Sequence, residues 1–229
     1  MQTPDARLLA AAAFVRQGAV LADIGTDHAY LPIYLVASGR VSRAVAADIG
    51  KGPIALARAN IAASGLSDRI ETVMTDGLFR LSDKGITDIT VCGMGGELIS
   101  RILQDASFVK DKGIRLILQP MSRAATLRRY LAKNGFAIIA ERPCRAAGRV
   151  YSCLCAEYDG VVRTLSPAEA EVGVPTLTNE AEENAFAELL ERKIKAVREK
   201  IDGLRAAALP AGEDEALLDG LLKIQEKYR

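Results

Sequence analysis

Three acidic residues stand where short apolar runs of the sequence are expected to end as parallel strands. Asp23 closes the run that begins at Val20, Asp48 closes the next run, and Asp76 follows the third. In open parallel sheets, ligands bind beyond the carboxyl ends of the strands, so these side chains should lie along one edge. Carboxylates there can contact an ammonium group and accept hydrogen bonds from ribose hydroxyls and an adenine amino group. The spacing therefore predicts a site for a nucleoside.

The glycines beside these acids indicate which nucleoside ligand fits. Gly25 permits close approach of a ligand to the backbone after the first strand. The later glycines of the dinucleotide pattern G-x-G-x-x-G are missing, and Asp27 would repel a diphosphate. NAD sites also use an acid such as Asp48, and the Asp76-Gly77 pair alone is more often a turn. Together the residues favour S-adenosylmethionine. We expect it to contact Asp23, Ile24, Gly25, Asp48, Ile49, Asp76, Gly77, Cys92, Gly93 and Met94.

A glycine-rich run, Cys92-Gly-Met-Gly-Gly96, follows the fourth apolar run. It would let a flat base approach the backbone beside the sulfonium, although a tight turn that needs positive φ explains it equally well. Gln119 and Pro120 end the fifth apolar run, and we expect them near the same base.

The order of apolar and helical patterns predicts an α/β fold. Strands are predicted at 20–24, 44–48, 70–74, 88–92, 114–118, 137–141 and 150–156. Helices are predicted at 31–38, 53–64, 96–104 and 124–134, after a first helix with Thr3 as its N-cap. No helix separates the last two strands, so they should pair antiparallel. This is the order of a Rossmann-like class I methyltransferase with a seven-stranded, mostly parallel sheet.

The character of the chain changes after residue 158, so we expect a catalytic domain at 1–158 and a helical domain at 159–229. A capping box at Ser166 and Glu169 predicts a short helix, and Asn179 begins a long one. Two apolar seams flank the turn at 209–212 and predict an antiparallel coiled-coil hairpin with a packing or docking role. The seams are Phe186, Leu190, Ile194, Val197, Ile201 and Leu204, then Leu217, Leu221, Ile224 and Tyr228.

Composition excludes several classes of protein. Hydrophobic residues are 49% and charged residues 26%, as in an ordinary globular protein. No apolar run is long enough to span a bilayer, and the N-terminal residues do not resemble a signal peptide, so we expect a cytoplasmic location without membrane contact. Four cysteines without a CxxC pair and a single histidine argue against a metal site.

The net charge of +1 combines two unlike halves. Residues 1–158 carry 20 Lys and Arg against 14 Asp and Glu, whereas residues 159–229 carry 10 against 15. Seven cations lie close together in the sequence with Glu141 alone opposing them: Arg123, Arg128, Arg129, Lys133, Arg142, Arg145 and Arg149. Such a cluster can neutralise the phosphates of a nucleic acid, although a solvated helix and loop is the alternative.

At this point the motifs resemble those of the TrmK family, the bacterial tRNA (adenine-22-N1)-methyltransferases. The runs Ala22-Asp-Ile-Gly-Thr-Asp-His-Ala-Tyr-Leu-Pro32 and Val91-Cys-Gly-Met-Gly-Gly96 are specific together, and Ala47-Asp-Ile49, Asp76-Gly-Leu78 and Leu118-Gln-Pro120 agree with them. The resemblance covers the whole chain, because that family also has a Rossmann-like domain followed by a helical coiled-coil domain. It implies methyl transfer from S-adenosylmethionine to N1 of adenine 22 in tRNA.

The implied chemistry suggests roles for the residues after the first strand. Adenine N1 has a free lone pair at neutral pH, so no strong base is needed, whereas the product ring is cationic. We therefore predict that Asp27 orients or supports the base and that His28 and Tyr30 shape the pocket. Asp27 could instead cap the following helix, and His28 could act as a general base. We expect substrate contacts at Gly95, Gly96, Gln119, Pro120, Arg123, Arg128, Arg129 and Arg145.

Other functions stay open at this point. A methyltransferase that acts on a protein or a metabolite would share the fold, and so would a module that binds S-adenosylmethionine without catalysis. A nicotinamide-dependent oxidoreductase would share the parallel sheet, but the missing glycines and the terminal strand pair argue against it. We expect tRNA as the partner and favour a monomer without a bound metal.

Overall fold

The computed structural model describes residues 4–228, which form seven strands and eight α-helices. The strands are β1 Ala19–Ile24, β2 Val41–Asp48, β3 Ile70–Met74, β4 Asp88–Gly95, β5 Arg115–Ser122, β6 Phe136–Ala146 and β7 Arg149–Tyr158. The helices are α1 Ala6–Phe14, α2 Tyr30–Ala37, α3 Lys51–Ala63, α4 Gly96–Gln104, α5 Ala124–Lys133, α6 Pro167–Val172, α7 Glu180–Ala206 and α8 Gly212–Lys227.

The strands of the described part form one sheet in the order β3-β2-β1-β4-β5-β7-β6. The first five are parallel to their neighbours, whereas β7 runs antiparallel to both β5 and β6. This topology confirms the predicted class I methyltransferase fold. The reversal of strand order between β1 and β4 opens the crevice at the carboxyl ends where ligands bind in such sheets.

Helices cover both faces of the sheet. One apolar cluster joins α1, α2 and α3 to one face, through residues such as Phe14, Leu35 and Ile61. A second cluster joins α4 and α5 to the other face, through residues such as Ile99 and Leu131. Because both faces are buried, the central strands are nearly continuous apolar runs, as expected of a parallel sheet.

Several boundaries of helices and strands differ from the sequence prediction by a few residues. The first helix has Asp5 as its N-cap, whose carboxylate accepts hydrogen bonds from the amides of Arg7 and Leu8. The predicted cap, Thr3, lies outside the described residues. Strand β6 is 11 residues long rather than the predicted five, because it pairs with β7 along its whole length.

The last three helices share an apolar cluster of their own. Lys200 pairs with Asp214 near the turn, and Phe186 packs against Tyr228 at the far end, so α7 and α8 run antiparallel. Helix α6 contributes Ala168 to the same cluster. The predicted seams therefore do pack together. The capping box at Ser166 is also confirmed, whereas a true coiled coil stays a prediction.

A buried ion pair connects this helical part to the sheet. Arg128 of α5 is 1% exposed and pairs with Glu141 of β6, which is 2% exposed. The Arg128 guanidinium also donates to the carbonyl oxygens of Ala170 and Glu171 in α6, at 2.8 and 3.2 Å, and to the Ser152 hydroxyl at 3.0 Å. The expectation that Arg128 contacts substrate phosphates is therefore wrong, because its donors are used inside the protein.

No helix within residues 4–228 is long and apolar enough to cross a membrane. Within the same range, no three His, Cys, Asp or Glu side chains are grouped so that they could hold a metal ion.

Candidate active site

The three acids lie on adjacent strands or directly after them. Asp23 belongs to β1, Asp48 ends β2, and Asp76 follows β3 by two residues. These strands are neighbours in the sheet, so the carboxylates lie along one edge as the sequence predicted. Exposure rises along this edge, from the buried Asp23 through the half-buried Asp48 to the exposed Asp76. Such a graded row suits an extended ligand whose one end is enclosed.

Asp23 is the enclosed end of this row. Its Oδ1 accepts a hydrogen bond of 2.6 Å from the Thr90 hydroxyl, which comes from the neighbouring strand β4. Burial raises the pKa of the Asp23 carboxyl, although the Thr90 hydrogen bond acts in the opposite direction. A cationic ligand group would offset the cost of this buried charge, so the chemistry of the Asp23 carboxyl suits an ammonium group.

The loop after β1 is held in place by the neighbouring strand. The amides of Gly25 and Thr26 both donate to the carbonyl oxygen of Ala47, at 2.9 and 3.0 Å. Gly25 has a φ of 71°, and a Cβ there would collide with the terminal methyl of Met94. The Thr26 hydroxyl is buried beside the Asp23 carboxyl and, like Thr90, acts against the rise of its pKa.

Asp48 links this loop to the start of α3. Its Oδ1 accepts from the Gly50 amide at 2.8 Å, and its Oδ2 lies 3.4 Å from the Asp27 amide nitrogen. Each carboxylate oxygen keeps a lone pair for a further donor, such as a ribose hydroxyl. Gly77, after β3, has a φ of 53° and lies against Ile102, which holds the Asp76 loop on α4.

A cavity of about 220 Å³ opens beside this edge and is lined by Asp23, Gly25, Asp27, His28 and Tyr30, among others. The His28 and Tyr30 rings are stacked with centroids 5.1 Å apart. His28 Nε2 lies 3.4 Å from Asp27 Oδ2, and the Asp27 side chain is 66% exposed. The three residues predicted to position the acceptor are thus together at the cavity.

Asp27 does not cap the following helix. The N-cap of α2 is Ala29, and no side chain caps that helix end. Asp27 itself adopts the left-handed conformation, with a φ of 51°, which non-glycine residues rarely occupy and which Asp and Asn tolerate best. The capping alternative is therefore wrong, and the carboxylate is directed to the cavity instead.

The glycine-rich run divides into residues with different surroundings. Gly93 has a φ of 80° at a pairing irregularity of β4 and lines the cavity. Gly96 is buried at the start of α4, where a Cβ would collide with the carbonyl oxygen of Arg123. Gly96 is therefore a packing residue between two turns, and its predicted contact with the substrate is wrong.

Gln119 also has an internal role. It is fully buried, and its Oε1 accepts from the Gly93 amide and from Arg7 Nη1, both at 3.2 Å. Its Nε2 donates to the carbonyl oxygen of Pro120 at 3.0 Å. Gln119 thus fixes the Gly93 turn and does not contact substrate as predicted. Arg7 lines the cavity, but the sequence offered no signal for it, because 112 positions separate it from Gln119.

The chain is similar in sequence to known methyltransferases. A family model described as a methyltransferase domain matches residues 5–154. A tRNA (adenine(22)-N(1))-methyltransferase of Bacillus subtilis is 40% identical over 163 residues, which cover 68% of each chain. The chain belongs to the TrmK family.

Solved structures of TrmK proteins agree over nearly the full length. B. subtilis TrmK, an m1A22 tRNA methyltransferase, is 28% identical with a TM-score of 0.78, and the match covers 97% of this chain and 99% of that one. TrmK of M. capricolum, solved with S-adenosyl-homocysteine, is 25% identical with a TM-score of 0.83 and full coverage of both chains. The likeness thus includes the helical part that the methyltransferase model leaves out.

Cys92 lines the cavity of this TrmK protein but is not a nucleophile. Burial raises the pKa of its thiol well above the ordinary value, and the nearby Asp23 carboxylate raises it further. A thiol of this kind stays protonated at neutral pH, and the thiolate is the form that attacks electrophiles. Cys92 therefore serves as a small wall residue.

The predicted basic cluster of this TrmK chain is largely paired with acids from the helical part. Arg129 lies 3.7 Å from Glu171, Arg142 lies 3.8 Å from Glu182, and Arg145 pairs with Glu188. Arg123 is exposed and lies 3.8 Å from Glu97. Glu141 is the only acid within this stretch of the sequence, and the other acids that pair with its cations come from distant parts of the chain.

Proposed function

We propose that this protein transfers a methyl group from S-adenosylmethionine to N1 of adenine 22 in tRNA. The observation that carries the proposal is the row of Asp23, Asp48 and Asp76 on three adjacent strands, directly beside a cavity that presents Asp27. The relative that is 40% identical is named for this reaction. The row of carboxylates offers hydrogen-bond acceptors for the cofactor. The cavity, which Asp23 also lines, offers space for the acceptor base.

The residues present fit S-adenosylmethionine. The buried Asp23 carboxylate suits the ammonium group, and the buried Thr26 hydroxyl beside it suits a polar group of the ligand. Asp48 is placed for the ribose hydroxyls and Asp76 for the adenine amino group. Bound here, S-adenosylmethionine supplies a methyl group activated by its sulfonium. The positive φ of Gly25 and the fixed amides after β1 give the cofactor a preformed surface.

The chain's own task is to position the acceptor and to manage its charge. Adenine N1 needs no base, but the methylated ring is cationic, and an oriented carboxylate stabilises that charge as it develops. Asp27 presents such a carboxylate at the cavity, and His28 orients it across 3.4 Å. The His28–Tyr30 stack forms a flat wall for the base. N1 lies on the Watson–Crick edge, so a paired target must be opened before it enters.

The test of the function is methylation of unmodified bacterial tRNA, followed by nucleoside analysis for 1-methyladenosine. A lack of this product under conditions where S-adenosylmethionine binds would overturn the proposal. The role of Asp27 is tested with Asp27→Asn, which keeps the left-handed conformation and removes the charge. We expect kcat to fall by about 10- to 100-fold while calorimetry shows unchanged affinity for S-adenosylmethionine.

Asp83→Asn is the matched control, because Asp83 is exposed and lies outside the cavity. Near-normal turnover of Asp27→Asn, or an equal loss in both variants, would show that the Asp27 charge does not act on the acceptor.

We propose a monomer as the active unit, as the sequence analysis favours. A tRNA substrate also supports the cytoplasmic location expected from the sequence. We further propose that residues 1–158 and 159–229 are separate domains, since α6 to α8 share their own apolar cluster.

A further inference from the structure

A groove of about 580 Å³ runs between the ends of β5 and β7 and the face of α7. One wall is the turn from Pro120 to Thr126, a second is the start of β7, and a third is formed by α6 and α7. Its cationic lining residues at the surface are Arg123, Arg129, Arg149, Arg192 and Lys193. The groove thus joins the catalytic sheet to the helical part.

The charge of this groove is only partly balanced. Glu171 is the one carboxylate among its lining residues, and it already pairs with Arg129 at 3.7 Å and with Lys193 at 2.7 Å. Arg123 lies 3.8 Å from Glu97, which is outside the lining. Arg149 and Arg192 have no carboxylate oxygen within 4.0 Å among residues 4–228. Two exposed guanidinium groups therefore face the groove with donors available, and guanidinium matches the geometry of phosphate oxygens.

Arg7 lies between the groove and the acceptor cavity. This residue lines the cavity, its Nη1 lies 2.9 Å from Met121 Sδ, and its guanidinium lies 5.8 Å from the centre of the Tyr151 ring. Met121 and Tyr151 both line the groove. One arginine side chain therefore contacts the lining of both sites, so the groove and the cavity are neighbours.

We propose that this groove binds the RNA strand next to the target adenine, with Arg149 and Arg192 each contacting a backbone phosphate. The inference rests on the proposed function, because it takes a nucleotide in the cavity as its starting point. Arg128 does not bind RNA in this proposal, because its guanidinium is buried and pairs with Glu141. Arg145 pairs with Glu188 and does not line the groove. The contribution of α7 gives the otherwise acidic helical part a defined contact with RNA.

The test is a double charge reversal, Arg149→Glu with Arg192→Glu. Binding of an unmodified tRNA transcript is measured by fluorescence anisotropy at several salt concentrations. Each phosphate contact contributes about 0.7 to 0.9 to the slope of log affinity against log salt. We expect the slope to flatten by about 1.4 to 1.8, and the affinity near 0.1 M salt to fall about tenfold or more. Affinity for S-adenosylmethionine, measured by calorimetry, stays unchanged.

The control is Arg58→Glu with Arg198→Glu, which changes the net charge by the same amount. Arg58 is exposed on α3 at the opposite edge of the sheet, and Arg198 is exposed on another face of α7. We expect its salt slope to match that of the unchanged protein. If both double variants lose the same tRNA affinity, net charge alone explains the loss, and the proposal that the groove binds RNA is overturned. Unchanged binding in the groove variant would overturn it as well.

The outcome for the groove is separate from that for the proposed function. If the unchanged protein forms 1-methyladenosine and the groove variant binds tRNA normally, only the groove fails. If the unchanged protein binds tRNA but forms no 1-methyladenosine, the proposed function fails. The salt slopes of the groove and control variants then still show whether the groove binds RNA. If it binds no tRNA, both are overturned.

Discussion

Replacing Arg128 with Met should destabilise the fold far more than an ordinary loss of a surface arginine. The change leaves the Glu141 carboxylate, 2% exposed, without its cationic partner. Removal of one member of a buried ion pair costs about 3–5 kcal/mol. For a chain of this size, the melting temperature falls by about 2–4 °C per kcal/mol, so we expect a decrease of about 6 to 20 °C.

The assay is urea denaturation and thermal unfolding of Arg128→Met beside Arg129→Met. Arg129 is the next residue, but its side chain is 44% exposed and its contact with Glu171 is long, so its loss should cost less than about 1 kcal/mol. The double variant Arg128→Met with Glu141→Leu removes both charges and should recover about 1–3 kcal/mol of the loss. If Arg128→Met is no less stable than Arg129→Met, the reasoning about the buried pair is refuted.

Two further predictions concern backbone contact and buried charge. Gly96→Ala would bring a Cβ against the Arg123 carbonyl and should cost about 1–3 kcal/mol in urea unfolding. Gly203→Ala, in the last turn of α7, meets no neighbouring atom and should gain up to about 1 kcal/mol. Equal effects of the two changes would contradict the packing role of Gly96. The raised pKa of Asp23 means that the folded state loses stability as pH rises above the ordinary carboxyl value of 3.8. Asp23→Asn should therefore be more stable at pH 7 while calorimetry shows at least about tenfold weaker binding of S-adenosylmethionine; unchanged affinity would remove Asp23 from the ligand site.

The sequence predicted the sheet and the row of acids well because both depend on local patterns. Apolar runs that end in Asp23, Asp48 and Asp76 identify three strand ends, and the alternation of strands with helices orders them in a parallel sheet. The missing helix before β7 correctly indicated the antiparallel pair. These features need no knowledge of which distant residues meet.

The errors all concern contacts between distant parts of the chain. Arg128 resembles any surface arginine in sequence, and its burial follows from Glu141, Ser152 and the carbonyl groups of α6. The sequence shows a glycine at position 96. It does not show that the Arg123 carbonyl group lies against this residue and leaves no space for a Cβ. Local patterns do not specify such partners, so the groove between the sheet and α7 was beyond the sequence prediction.

The carbonyl groups that receive Arg128 have a consequence for the order in which the protein folds. The sheet is complete when residue 158 has been synthesised, but two acceptors of Arg128, at Ala170 and Glu171, leave the ribosome later. Until then, two of the acceptors that the Arg128 guanidinium meets in the folded protein are missing, and water takes their place. Domains usually fold in the order of their synthesis. Here the last step of assembling the catalytic layer waits for α6, so a chain truncated between residues 158 and 167 should form a less stable sheet.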